Sequence, residues 1–132
     1  MVDVGAPARA RILVVDDSSL VRLYYRSTLE KAGFEVEQAI NGIEAMERAL
    51  SQPFDLVIVD VNMPRMDGFS FLRALRRGAG EMAMLPALMI STEAETRDVA
   101  AARAAGANFY LVKPVAEAEL VRHVCALTGA AS

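Results

Sequence analysis

The sequence predicts an α/β domain in which a five-stranded parallel sheet is covered by helices on both faces. Residues 56–60 and 87–91 are runs of apolar residues that each end in one polar residue. Such runs are typical of parallel strands that are buried on both sides. Strand-like and helix-like segments alternate five times with short connections, which indicates a doubly wound fold. The 132 residues are enough for one hydrophobic core.

The predicted elements follow from apolar spacing and from residues that start and stop helices. Strands are predicted over residues 11–15, 35–39, 56–60, 87–91 and 109–112. Helices are predicted over about residues 19–32, 42–52, 68–77, 97–105 and 115–127. Their proposed N-caps include Ser18 or Ser19, Asn41 with Glu44, and Asp67. Gly33 and Gly106 are placed to end helices.

Two helices also carry predictions about which side chains are buried. In the second helix, the residues expected to form the buried stripe, because they recur at helical spacing, are Ala45, Met46, Ala49 and Leu50. In the third helix, Arg76 is expected to face water with its neighbouring arginines, while Phe71, Leu72 and Leu75 are expected in the core.

Composition excludes several classes of function. The formal net charge of −3 gives no electrostatic basis for binding nucleic acid or an anionic membrane. No apolar run approaches membrane-spanning length, and residues 1–10 lack the apolar region of a signal peptide. The single cysteine, Cys125, has no partner for an internal disulfide. A cytoplasmic protein is therefore expected.

Polar side chains stand at four of the five predicted strand ends. These are Asp16, Asp17, Asp60, Ser91 and Lys113. Ligands of open parallel sheets bind at this edge, so we expect these side chains to converge. Three crowded carboxylates repel one another unless a cation is present, and Mg²⁺ prefers oxygen ligands of this kind. The cluster predicts a Mg²⁺-dependent phosphoryl site. Asp60 is its best nucleophile candidate, because it ends the central strand.

Four motifs at these strand ends then carry a family resemblance. They are Val14-Val15-Asp16-Asp17-Ser18, the segment Val59-Asp60 to Asp67-Gly68, Met89-Ile90-Ser91-Thr92, and Tyr110-Leu111-Val112-Lys113-Pro114. With them, residues 9–128 resemble the receiver domains of response regulators, and most closely the CheY-like single-domain chemotaxis regulators. The resemblance implies a flavodoxin-like sheet of strand order 2-1-3-4-5. Residues 1–8 are then a disordered lead-in and 129–132 a short tail, with no effector domain expected.

The resemblance also implies roles for individual residues. Asp60 would accept a phosphoryl group from a histidine kinase. Asp16, Asp17, Asp60 and the main-chain carbonyl of Asn62 would hold Mg²⁺. Ser91 and Lys113 would contact the phosphoryl group.

Other implied roles concern switching and kinetics. Ser91 and Tyr110 would be the switch pair, and the Lys113-Pro114 peptide is expected to be cis. Asn62 and Glu93 are similar to residues of regulators whose phosphoryl group is short-lived, which predicts fast self-dephosphorylation. Thr92 replaces a smaller residue and could narrow access to the site.

The expected function is that of a monomeric, stand-alone switch that catalyses only its own phosphorylation and dephosphorylation. Phosphorylation would change the affinity of the face formed by the fourth helix, fifth strand and fifth helix for a protein. The flagellar motor switch, a kinase or a phosphotransfer protein are candidate targets, with a chemotaxis role expected. Alternatives are a phosphorelay intermediate, a phosphate sink, an aspartyl phosphatase or a phosphorylation-independent binding module.

Overall fold

The computed structural model describes residues 9–61, 63 and 66–130. Its strands are β1 (Arg11–Val15), β2 (Glu35–Ala39), β3 (Leu56–Asp60), β4 (Ala87–Ser91) and β5 (Phe109–Val112). Its helices are α1 (Ser19–Lys31), α2 (Gly42–Ser51), α3 (Gly68–Arg76), α4 (Thr96–Ala105) and α5 (Glu117–Thr128). A short 3₁₀ helix, Gly80–Met84, lies between α3 and β4 and was not predicted.

The five strands form one parallel sheet in the order β2-β1-β3-β4-β5, which confirms the predicted fold. Val15 pairs with Val59, Asp60 with Ile90, and Ser91 with Val112, so the carboxyl ends of four adjacent strands lie side by side. The second strand lies at an edge, as its polar residues predicted.

Helices cover the sheet in two separate apolar cores. One core joins alternate strand residues such as Leu13 and Val57 to Phe71, Leu72 and Leu75 of α3. The other joins the intervening residues, such as Ile58, to α1 and α5 through a second set: Tyr25, Leu29, Leu120 and Val124. Every strand residue from Leu56 to Asp60 is buried, as expected for a strand covered on both faces.

Three predicted N-caps are present in the structure. The Ser18 hydroxyl accepts a hydrogen bond from the Val21 amide at 3.3 Å. The Asn41 carboxamide accepts one from Glu44 at 2.8 Å, and Asp67 accepts one from the Ser70 amide at 2.9 Å. These bonds satisfy amides that have no partner inside the helix.

The burial predictions for Leu50 and Arg76 were wrong. Leu50 is 69% exposed, because the buried stripe of α2 is narrow and runs along Gly42 and Ala45. Arg76 does not simply face water. Its guanidinium donates to the backbone carbonyls of Leu85 at 2.6 Å and Gly106 at 2.7 Å, since the last turn of α3 lies against the segments before β4 and β5.

The last helix begins two residues later than predicted. The Val115 carbonyl accepts a hydrogen bond from the Tyr24 hydroxyl at 2.8 Å, and this bond connects the segment before α5 to α1. Ala116 is the N-cap, and its carbonyl accepts from the Leu120 amide. None of the helices over residues 9–61 and 66–130 has the length and hydropathy needed to cross a membrane.

Candidate functional site

The parallel sheet brings the predicted strand-end residues together. Asp16 follows β1, Asp60 ends β3, Ser91 ends β4, and Lys113 follows β5. Because these strands are neighbours in the sheet, their side chains meet at one edge. Asp17, the residue after Asp16, completes the group.

Three carboxylates form the centre of the site. Oxygens of Asp16, Asp17 and Asp60 lie within 4.8 Å of one another, close enough to bind one metal ion. Asp16 and Asp60 are buried, with 2% and 6% of their surface exposed, whereas Asp17 is exposed. Burial raises the pKa of Asp60 above its usual value, and the nearby charge of Asp16 adds to the effect. Burial likewise raises the pKa of Asp16, although the Ser18 amide and Lys113 favour its ionised form.

Lys113 supplies the positive charge of the site. Its Nζ lies 3.1 Å from Oδ1 of Asp60 and 3.5 Å from Oδ2 of Asp16. Burial alone would lower the pKa of Lys113, but the hydrogen bond to Asp60 and the charge of Asp16 outweigh it, so the pKa is raised. The ammonium therefore remains charged at neutral pH. One ammonium against three carboxylates still leaves an excess of negative charge, which fits a hard divalent cation with oxygen ligands.

The switch and kinetic residues surround this centre on the β4 and β5 side. Ser91 is fully buried, and its hydroxyl accepts a hydrogen bond from the Glu93 amide at 3.1 Å. The half-buried Tyr110 donates its hydroxyl to the Glu93 carbonyl at 2.7 Å. Thr92 and Glu93 themselves are exposed.

Two further predicted features concern backbone positions. The peptide bond between Lys113 and Pro114 is cis. Asn62, expected to provide a metal-binding carbonyl and to tune the kinetics, lies outside the described residues.

The loop after Asp60 is anchored at two glycines that sequence reasoning did not single out. Gly68 donates its amide to the Val61 carbonyl at 3.1 Å, and a Cβ there would lie 2.4 Å from the carbonyl oxygen of Asp60. Gly42 donates to the carbonyl of Met66 at 3.3 Å, and a Cβ at Gly42 would lie 2.6 Å from that oxygen. Both contacts need a residue without a side chain.

Tyr25 is a second residue whose proximity to the site the sequence did not reveal. In the sequence it lies four residues before Leu29, on the apolar side of the first helix. The structure buries it, and this burial, together with the charges of Asp16 and Asp60, raises its pKa. Helical spacing correctly predicted an inward orientation but carried no information about the distance to these carboxylates.

Comparison with known proteins identifies the family. The model of the response regulator receiver domain matches residues 12–125. The chain belongs to this family. Receiver domains bind Mg²⁺ at an acidic pocket in general, and in this chain the group of Asp16, Asp17 and Asp60 has that character.

The relatives of this receiver domain include proteins from different pathways. The chain is 42% identical over 117 residues to the transcriptional regulatory protein PrrA of Mycobacterium leprae, covering 89% of the chain and 49% of PrrA. It thus spans about half the length of the curated relatives it matches. Among solved structures, chemotaxis protein CheY4 of Vibrio cholerae is 39% identical with a TM-score of 0.85, covering 91% of this chain and 99% of CheY4. A putative response regulator from Chloroflexus aurantiacus is 32% identical with a TM-score of 0.87, covering 92% and 99% of the two chains.

Proposed function

We propose that this receiver domain is a phosphorylation switch in which Asp60 accepts a phosphoryl group from the phosphohistidine of a histidine kinase. The observation that carries the proposal is the position of Asp60 in the group of three carboxylates, with the Lys113 ammonium 3.1 Å from its Oδ1. A carboxylate nucleophile flanked by a metal site and a fixed cation is what formation of an aspartyl phosphate requires.

Each group has a separate role in the transfer. A carboxylate oxygen of Asp60 forms a bond to phosphorus while the bond to the donor nitrogen breaks. Lys113 stabilises negative charge on one phosphoryl oxygen, and the Ser91 hydroxyl donates a hydrogen bond to another. Asp16, Asp17 and Asp60, together with the Asn62 carbonyl, would hold Mg²⁺. When bound there, the ion would supply positive charge that offsets the carboxylates and the phosphoryl group. The chain would thus catalyse only its own phosphorylation and dephosphorylation.

The output is a change in affinity for another protein. In the unphosphorylated arrangement, Ser91 is engaged by the Glu93 amide, and Tyr110 by the Glu93 carbonyl. A phosphoryl group adds about −1.5 to −2 charge and new acceptor oxygens, to one of which the Ser91 hydroxyl can donate. Movement of Ser91 toward that oxygen would break the bond from the Glu93 amide, and a shift of Glu93 would then release Tyr110 and alter the face of α4, β5 and α5. On this face Phe109 is 44% and Val112 40% exposed.

Similarity to CheY4 favours a chemotaxis role for a cytoplasmic, monomeric chain, with the flagellar motor switch, a kinase or a phosphotransfer protein as its target. The net charge of −3 agrees with a protein target rather than nucleic acid. The match to PrrA favours a second candidate, the receiver half of a transcriptional regulator. In that case the same face would act on an attached output domain.

Mass spectrometry of the intact protein tests the chemistry. Incubation with Mg²⁺ and acetyl phosphate should give one labile phosphoryl adduct, absent from Asp60→Asn and from an EDTA-treated sample. An unchanged mass in the wild type would refute the proposal, provided that the metal and a beryllofluoride phosphoryl mimic also fail to bind.

A second experiment separates the two candidate outputs. Binding of the beryllofluoride-treated chain to a flagellar motor switch protein should be tighter than that of the untreated chain if the role is in chemotaxis. Equal binding of the treated and untreated chains would favour the second candidate, the receiver half of a transcriptional regulator.

A further inference from the structure

An apolar groove lies beside the acceptor site, between the start of α1 and the segment after β5. It encloses about 550 Å³. Its apolar walls are made by Leu20, Val21, Tyr24, Tyr25, Pro114 and Val115. Thr92 and Lys113 also line it, so the groove is continuous with the site described above. Its volume falls within the range of small-molecule pockets, which are mostly apolar with a few polar groups.

One wall of the groove is held by a hydrogen bond, and one of its lining leucines is exposed to solvent. The Tyr24 hydroxyl donates to the Val115 carbonyl at 2.8 Å and so ties α1 to the segment after β5. This bond also occupies the polar end of the Tyr24 ring. Leu20, one turn earlier, also lines the groove and is 77% exposed. An apolar ligand in the groove would cover Leu20.

Lys113 connects the groove to the phosphoryl chemistry. Its side chain lines the groove, while its ammonium lies 3.1 Å from Oδ1 of Asp60. A phosphodonor held by this ammonium has its phosphoryl group at Asp60. Its leaving group must extend away from Asp60, and the groove that Lys113 lines is apolar space next to this ammonium.

We infer that the groove binds the acyl chain of small phosphodonors, so that this receiver domain uses acyl phosphates with an apolar chain better than acetyl phosphate. The inference rests on the proposed function. In the step, an Asp60 carboxylate oxygen bonds to phosphorus and the bond from phosphorus to the acyl oxygen breaks. The carboxylate leaves with the electron pair, and no proton or redox partner is required.

Butanoyl phosphate is the matched probe for this inference. Its leaving carboxylate has nearly the same basicity as acetate, so the intrinsic reactivity of the two donors is similar. It adds two methylene groups, which a half-open groove buries only in part. From the transfer free energy of a methylene group, we expect its second-order rate constant to exceed that of acetyl phosphate by about threefold to tenfold.

Phosphorylation rates with both donors, measured by intact mass in Mg²⁺, give the first readout. Leu20→Ser should lower the preference for butanoyl phosphate over acetyl phosphate toward unity. Leu50→Ser is the matched control, because Leu50 is also an exposed helical leucine, at 69%, but lies on α2 outside the groove. It should retain the wild-type preference.

Binding of unreactive analogues gives an independent readout. The phosphonate 2-oxopentylphosphonate carries the butanoyl chain, and acetonylphosphonate carries only the acetyl group. The longer analogue should shift the backbone amide resonances of Leu20, Tyr24 and Val115, and the shorter one should not.

The outcomes separate the two proposals. Equal rates with both donors, together with equal resonance shifts from both analogues, would overturn the groove assignment while leaving the switch intact. If neither donor phosphorylates Asp60 but the longer analogue still shifts the groove resonances, the proposed function fails and the groove assignment is supported.

Discussion

Arg76 should be a major contributor to stability, although it stands among surface arginines in the sequence. Its guanidinium donates to the carbonyls of Ala83 at 3.0 Å, Leu85 at 2.6 Å and Gly106 at 2.7 Å, and to Oδ1 of Asn108 at 3.1 Å. These acceptors belong to two segments, residues 83–85 and 106–108, that are distant from each other in the chain. Replacement by methionine keeps most of the apolar stem and removes every one of these bonds.

The expected loss follows from the acceptors left behind. A buried carbonyl without its donor costs about 1–3 kcal/mol, but water can reach part of this site, and burial of the charge has a cost of its own. Burial in fact lowers the pKa of Arg76. We therefore expect Arg76→Met to lower the free energy of unfolding by about 2–4 kcal/mol. For a domain of this size that is roughly 6–16 °C in Tm.

Urea unfolding followed by far-ultraviolet circular dichroism measures this loss, since the chain has no tryptophan. Arg73→Met is the matched control. Arg73 is exposed on the same helix and its side chain makes no hydrogen bond to the described part of the chain, so its replacement should cost less than about 0.5 kcal/mol. Equal midpoints and slopes for the two variants would refute the reasoning. The hydrogen bonds of the Arg76 guanidinium would then do no more than offset the cost of burying its charge.

Three further predictions concern the site and its surroundings. Gly68→Ala should destabilise the fold by about 1–3 kcal/mol in urea unfolding, because its Cβ would meet the Asp60 carbonyl oxygen at 2.4 Å; an unchanged midpoint would show that the loop relaxes freely. Without metal, Asp60→Asn should become more stabilising relative to wild type as pH rises from 4 to 7. The pKa of Asp60 is raised in the folded state, so folding favours its protonated form. The stability that this gives the wild type is present below the unfolded-state pKa near 3.8 and is lost as the pH rises through the folded-state pKa. Mg²⁺ should abolish the difference, and a pH-independent difference would contradict this explanation. Tyr24→Phe should cost about 1 kcal/mol in the same assay, since it removes only the bond to the Val115 carbonyl; Leu23→Ala on the same helix, at an exposed position, is the control.

The sequence predicted the strands well because their signal is local. Each apolar run in β1, β3 and β4 ends at a polar residue, and these ends place Asp16, Asp60 and Ser91 at one edge once the sheet is parallel. The strand order itself came from a family resemblance. Hydrophobic patterns do not state which strands are neighbours.

The sequence was least informative where a side chain's environment comes from distant segments. Arg76 has the same local pattern as Arg73, and only the folded chain places the Ala83 and Gly106 carbonyls beside it. Leu50 lies four residues after Met46, the spacing of one helix face, and yet it is 69% exposed in the folded chain. For the same reason the groove beside Lys113 could not be predicted, since its walls come from residues far apart in the chain.

The two glycine contacts around the loop after Asp60 leave different amounts of space on the two sides of the acceptor. On one side, Gly42 and Gly68 hold Met66 and the start of α3 with no free space for a Cβ. On the other side, residues 92–97 are exposed along their whole length. A side chain larger than glycine is therefore excluded on the α3 side of the acceptor, whereas new side chains at residues 92–97 would extend into solvent. Sequence change close to Asp60 should accordingly be tolerated on the α4 side and rejected on the α3 side.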